Sequence, residues 1–260
     1  EEFSTQPLKT CLLDIETYSP DSFPNPENPT HVVNVITCYD NFSKTFHTFG
    51  IKKYNGKGVD NLNYVYCKDE REMFIKFIEY LESGWNSEFF DIPYIINRIE
   101  RILGQEYVNR LSPLGRVHFR NIKGKFGQDQ KRYYIDGVAC LDYLDVYKRF
   151  CLKLRESYKL DAIGEVELGQ RKIDYGDSNL ATLSEEDWDT FIDYNIQDVN
   201  LLVRLEEKLQ YVPLLRKLSY VGLTTLEGAM GTIGVINGAL CIKARKRGEV
   251  IATFLRNADT

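Results

Sequence analysis

"CLLDIETYS", residues Cys11 to Ser19, reads as an apolar strand with two acids set into it. Leu12, Leu13 and Ile15 head for a core, while Asp14 and Glu16 stand two apart. Alternation along a strand sends residues i and i+2 to one face, so both carboxylates share a side of the sheet. Two like charges at the end of a buried strand repel each other and resist desolvation. Such a pair calls for a compensating positive charge.

Further strand signals follow at "HVVNVITCYD", "KTFHTFGI" and "YVYC", separated by turn-rich pieces such as "SPDSFPNPENP" and "YNGKG". Helical spacing of Met73, Phe74, Phe77, Ile78 and Leu81 predicts a helix through "DEREMFIKFIEYLES", and a second is expected through "DIPYIINRIERIL". "KRYYIDGVACLDYLDVYKRF" moves from a strand pair into a helix, after the turn signal "KGKFGQ". The stretch "SEEDWDTFIDYNIQDVNLLVRLEEKL" reads as a long helix, with Ser184 as N-cap and Asp187 at the capping-box position. Strands first, then strand and helix in alternation, predict an α/β fold with a mixed sheet and helices on its faces.

Composition sets bounds on function. The 260 residues leave room for one large domain or two small ones, and 43% hydrophobic with 27% charged residues describes an ordinary globular chain. Six cysteines without a CxxC pair point to reduced thiols rather than a disulfide framework or a zinc site. There is no signal-peptide pattern at the start. Glu227 and the glycines dilute "VGLTTLEGAMGTIGVINGALCI" (Val221 to Ile242), which reads as buried helices joined by a glycine-rich turn, not a membrane span. The formal charge of -5 makes the whole chain no polycation. Residues 98 to 132, however, hold nine Lys/Arg against three acids, a local +6. That run is either a solvated face or, beside phosphate chemistry, a phosphate-contacting one.

The long helix supplies the next acid. Phe191, Tyr194, Leu201, Leu202 and Leu205 form a core-facing stripe, and Asp198 falls inside it, one turn after Tyr194. An aspartate there costs several kcal/mol unless it is paired or metal-bound. No Lys or Arg stands one turn away on that face, although a distant basic partner would also serve. Asp91, between Phe89-Phe90 and Ile92-Pro93, is a third acid at an apolar turn; alone it reads as a helix N-cap. Together Asp14, Glu16, Asp91 and Asp198 sit where charge is expensive, and a pair of divalent cations resolves all four. Oxygen ligands suit Mg²⁺ or Mn²⁺, and two such ions about 3.5–4 Å apart clamp a phosphodiester for in-line attack.

"DIE" at a strand end, "NxxxFD" (Asn86 to Asp91) and "YxxxD" (Tyr194 to Asp198), in that order, resemble the three motifs of the DEDDy 3′→5′ exonucleases. More narrowly, "GWNSEFFDIPYIINR", "RLSPLGRV", "IDGVACLDYLDVYKRF" and "YNIQDV" resemble the proofreading domain of family B DNA polymerases of the T-even phage type, over nearly the whole chain. The resemblance implies an RNase H-like fold with a β-hairpin insertion in residues 1–210. Residues 211–260 would be a helical extension leading toward a polymerase palm, with a polymerase domain as candidate neighbour in a longer chain. It implies an intracellular protein of the host-cell cytoplasm acting on a single-stranded or frayed 3′ end of DNA with two divalent metal ions.

Residue by residue, the resemblance implies that Asp14, Glu16 and Asp198 hold the first metal, with Asp14 shared to the second. Asp91 would bind through the second metal's waters, and Tyr194 would orient the attacking water. Asn86 and Phe90 would shape the pocket for the terminal nucleotide, and Phe23 is either a base-stacking aromatic, as the resemblance implies, or an ordinary loop aromatic. The "NIKGKFGQDQKRYY" hairpin would help move the primer end. "DYGDS" (Asp174 to Ser178) is read as a loop coincidence with a palm motif. The family's apolar strand before "GWN" has no room in "EYLESGWN". Two rival readings are a free-standing exonuclease trimming RNA or oligonucleotides, and a catalytically silent nucleic-acid-binding module.

Overall fold

The computed structural model describes residues 8–251 apart from 21, 57, 83–90, 124–128 and 170–179. Four strands come first: β1 (Cys11–Thr17), β2 (Val33–Asp40), β3 (Thr45–Gly50) and β4 (Leu62–Tyr66). Helices α1 (Glu70–Glu82), α2 (Ile92–Leu103) and α3 (Gln105–Asn109) precede the hairpin β5 (Val117–Lys123) and β6 (Asp129–Ile135). Then come α4 (Tyr143–Phe150), α5 (Leu160–Leu168), α6 (Leu180–Glu186) and α7 (Trp188–Leu209). The first four strands form one sheet in chain order, antiparallel except for the parallel β3–β4 pair. Their Val, Ile, Thr and aromatic side chains suit a pleated, packed surface. β2, flanked by strands on both sides, is buried along its whole length.

The two faces of this sheet are told apart by what they touch. Phe49 meets Phe77 edge-on at 5.9 Å, and the His47 ring lies 4.4 Å from Tyr80, so the odd residues of β3 face α1. Gly50 lies on the other face, where an added Cβ would come 3.2 Å from the Trp188 indole at the start of α7 and closer still to Tyr64. Cross-strand register carries that face to β1: Asp14 is opposite Thr37, and Thr37 opposite Thr48, with their hydroxyls 2.9 Å apart. Asp14 therefore lies on the α7 side of the sheet, and Glu16, two residues on, lies with it.

Two expectations are corrected. Ser184 does not cap the long helix; it lies inside α6, and its hydroxyl donates to the Ala181 carbonyl at 2.7 Å. Asp187 caps α7 instead, accepting from the Thr190 amide at 3.1 Å and from its hydroxyl at 2.6 Å. Thr190 stands three residues after Asp187, the spacing an N-cap side chain reaches, which Ser184 is too early to satisfy. Residues 221–242 are largely helical as expected, but apart from Gly222 and Ala229 they are not buried.

Val146–Leu152 and the residues from Gln210 onward form a second compact unit, built of α8 (Tyr211–Val221), α9 (Leu226–Ala229) and α10 (Thr232–Arg247). Here α10 packs on α8 backbone to backbone: a Cβ on Gly238 would stand 1.3 Å from the Gly222 carbonyl oxygen, so only glycine fits. Contact through glycines leaves Val221, Leu223, Ile233, Ile236 and Leu240 exposed. A helical unit this small has too little interior to cover them. No described helix is long and apolar enough to cross a membrane.

Candidate active site

The sheet and α7 bring three acids together. β1 presents Asp14 and Glu16 toward α7, and α7 answers with Asp198. One carboxylate oxygen from each lies within 4.8 Å of the other two. Asp198 is buried, and the two strand acids are half-buried. Three carboxylates this close, out of bulk water, repel one another strongly enough that the arrangement favours a cation among them.

Asn195, three residues before Asp198 and fully buried, was not singled out by the sequence reading. Its side-chain amide donates to Asp14 Oδ2 at 2.6 Å. The i, i+3 spacing to Asp198 places it on the same face as the acids, a signal equal to the i, i+4 spacing of Tyr194. Tyr194 itself is half-buried on α7.

Asp91 occupies the N-cap position of α2 but makes no side-chain cap hydrogen bond. The backbone N–H of Ile15, in the strand between the two acids, favours its charged form, but only as the smallest influence on it. Desolvation, with the charge of Asp142 second, pushes this carboxyl up to about 7. Asp142 carries only a capping signal in sequence, and its carboxylate does accept from the Leu144 amide at 2.8 Å.

Glu16 and Asp91 also border a cleft of about 410 Å³, walled by Phe23, Pro24, Tyr94 and Leu180. That volume falls in the range of small-molecule sites, about 300–1,000 Å³. Phe23 is 88% exposed, so its ring is accessible to a ligand rather than spent on the core. The loop that carries it is held from α2. Arg98 donates to Glu70 through two nitrogens, each at 2.8 Å, and to the carbonyls of Pro29 and Thr30 at 2.9 and 3.1 Å. Asn97 donates to the Pro26 carbonyl at 2.7 Å, and Tyr94 to that of His31 at 2.8 Å.

Arg98 thus leaves the basic run of residues 98–132: it is 7% exposed and serves the loop, neither solvated nor available to phosphate. The cations on the hairpin are different. Arg120 and Arg132 lie over the Tyr134 ring, and Lys131 over Phe119. Asn86 and Phe90 lie outside the described residues, as do the hairpin turn 124–128, the "DYGDS" loop and the segment in which the family's apolar strand was missed.

A family model, DNA polymerase family B, exonuclease domain, matches residues 1–163, well over half of the chain. The chain belongs to that family. The mixed sheet with flanking helices accords with the RNase H-like exonuclease fold. The DNA-directed DNA polymerase of Escherichia phage RB69 is 28% identical over 94% of this chain and 30% of its own length. That of Enterobacteria phage T4 is 31% identical over 87% of this chain and 28% of its own. A DNA polymerase of Methanocaldococcus jannaschii is 28% identical over 76% of this chain and 11% of its own. The chain therefore spans less than a third of the phage relatives it matches. The family match ends before Tyr194, Asn195 and Asp198, so for these the position on α7 is the independent observation.

Proposed function

We propose that the chain is a divalent-metal-dependent 3′→5′ exonuclease that removes 3′-terminal nucleotides from DNA, the proofreading activity of a longer family B polymerase. The observation that carries this reading is the juxtaposition of the Asp14–Glu16–Asp198 cluster with the Phe23-lined cleft, which Glu16 shares. One side offers apolar rings to a base and sugar; the other offers oxygen ligands beside a phosphate.

The donor set fits hard cations. Three carboxylate oxygens within 4.8 Å can close on an ion that takes oxygen ligands at about 2.0–2.1 Å, as Mg²⁺ does. Asp14, Glu16 and Asp198 would hold one ion, and Asp14 with Asp91 would serve a second. Bound ions would supply a water of lowered pKa and positive charge against the phosphate oxygens. The protein's own residues do the rest. Phe23 stacks on the terminal base, which any base permits because each has a π face. The Arg98-anchored loop fixes that ring over the cleft. Tyr194 hydrogen-bonds the attacking water and aims it at the last phosphodiester. In this reading residues 1–210 are the nuclease domain and 211–260 an extension toward the polymerase.

The decisive experiment is a gel assay of purified protein on 5′-labelled single-stranded DNA and RNA, with Mg²⁺ or with chelator. Stepwise shortening of DNA that requires metal and disappears in Asp14→Ala supports the reading. Faster shortening of RNA would favour a trimming ribonuclease, and salt-sensitive binding without cleavage a silent module.

A further inference from the structure

Asn195 sits at 0% exposure on the buried face of α7, and its amide reaches a single acid of the cluster. We propose that Asn195 is a positioning residue that sets the rotamer of Asp14 and thereby the affinity of the cluster for a divalent cation; this rests on the metal-dependent reading above. The orientation of the amide follows from its partner: only the NH₂ end donates to a carboxylate, so Nδ2 is the atom that faces Asp14.

A neutral donor is the chemistry this task requires. Lys or Arg at the same place would hold Asp14 as firmly but would cancel charge that a cation needs. The Asn195 amide fixes one oxygen at 2.6 Å and leaves the net charge of the three acids unchanged. Groups that orient metal ligands from behind change metal affinity or activity by about 10–100-fold when removed. The position is also mechanically sound. Asn195 and Asp198 share one helical turn, so a shift of α7 moves the donor and the ligand together.

The test uses the whole chain, Mn²⁺ as the probe, and two variants, Asn195→Leu and Asn195→Asp. Mn²⁺ affinity is measured by titration, and melting temperature is measured in chelator and in Mn²⁺ at pH 8. For Asn195→Leu the expected result is a near wild-type melt in chelator with Mn²⁺ affinity lowered about 10–100-fold. Raising Mn²⁺ should then recover the rate of 3′-end cleavage, with KM for the DNA end changed less than twofold. A folded Leu variant that binds Mn²⁺ as tightly as wild type overturns the proposal.

Asn195→Asp keeps the side chain's size and sets a fourth carboxylate against Asp14. It should melt lower than wild type in chelator and gain more than wild type from Mn²⁺. Equal melts in chelator would show that residue 195 does not face Asp14, and would overturn the proposal even if the Leu variant failed to fold. Failure of the metal reading looks different. Wild type itself would then show neither Mn²⁺ binding nor a shift in melt, while the penalty of Asn195→Asp in chelator would persist.

Discussion

At the scale of single residues, Tyr194 and Asp198 lie one helical turn apart on α7 and should nonetheless fail in different ways. A phenol with an ordinary pKa of about 10 is neutral at working pH and cannot replace a carboxylate as ligand. Tyr194→Phe should therefore slow single-turnover cleavage of a single-stranded 3′ end by tenfold or more, on the order of what positioned groups contribute, while Mn²⁺ affinity stays within twofold. Asp198→Ala should lose both. A Phe variant that cleaves at the wild-type rate would return Tyr194 to a packing role.

Asp91 makes a second residue-scale prediction, from the sign of its shift. Its folded carboxyl is raised to about 7, against about 3.9 in an unfolded chain, so the fold holds this proton more tightly than the unfolded state does. Its effect on stability is null below about pH 4 relative to the protonated group, turns unfavourable as pH rises toward 7, and is fully unfavourable above. Asp91→Asn should thus leave the metal-free melt almost unchanged at pH 4 and raise it at pH 8. Melting curves of both proteins in chelator check this; equal gains at the two pH values would mean the shift has another source.

Secondary-structure elements show what the sequence could and could not convey. The period-2 rule placed Asp14 and Glu16 on one face, and the structure puts that face against α7. Periodicity also marks α1 and α7, because each buries a stripe whose spacing survives in the sequence. Arg98 was opaque for the opposite reason. As one cation in a basic run it reads as either solvated or phosphate-contacting, because its partner Glu70 stands 28 residues earlier on another helix. Asn195 was passed over because an asparagine in a helix signals nothing until the strand carrying Asp14 is laid beside it. The apolar run at 221–242 misled because it is the glycines that make the contact there, leaving the apolar side chains outside.

The Arg98–Glu70 pair joins α2 to the start of α1 and, through Pro29 and Thr30, to the cleft loop. Both side chains are almost wholly buried, at 9% and 11% exposure. Removing one partner strands the other charge, which costs about 3–5 kcal/mol. Arg98→Leu should lower unfolding free energy by that amount in urea titrations and should raise KM for the 3′ end, since the loop bearing Phe23 loses its anchor. The double variant Arg98→Leu, Glu70→Leu should regain part of the stability but not the KM. Recovery of both would place the loop's anchorage elsewhere, in Asn97 and Tyr94.

On the exonuclease reading proposed above, the whole chain must select an end without reading a sequence. Its net charge of -5 gives no general attraction to nucleic acid, so its affinity has to come from local features: the cations on the β5–β6 hairpin and the aromatic cleft. A stacked base contributes roughly 1–3 kcal/mol whatever its identity, but only once it has left its partner. The chain should therefore digest single-stranded and mismatched 3′ ends faster than matched duplex ends, with little dependence on the terminal base. The measurement is single-turnover cleavage of primers that differ only in their last pair, at fixed salt. Phe23→Ala should weaken binding of all ends alike, by about 5- to 150-fold if stacking is its whole contribution, and should leave the ranking of ends intact because the ranking is set by the DNA's own pairing. Equal rates on matched and mismatched primers would show that unpairing is not what limits the reaction. A Phe23→Ala variant that bound as tightly as wild type would leave Tyr94 and the prolines of the cleft wall to hold the base.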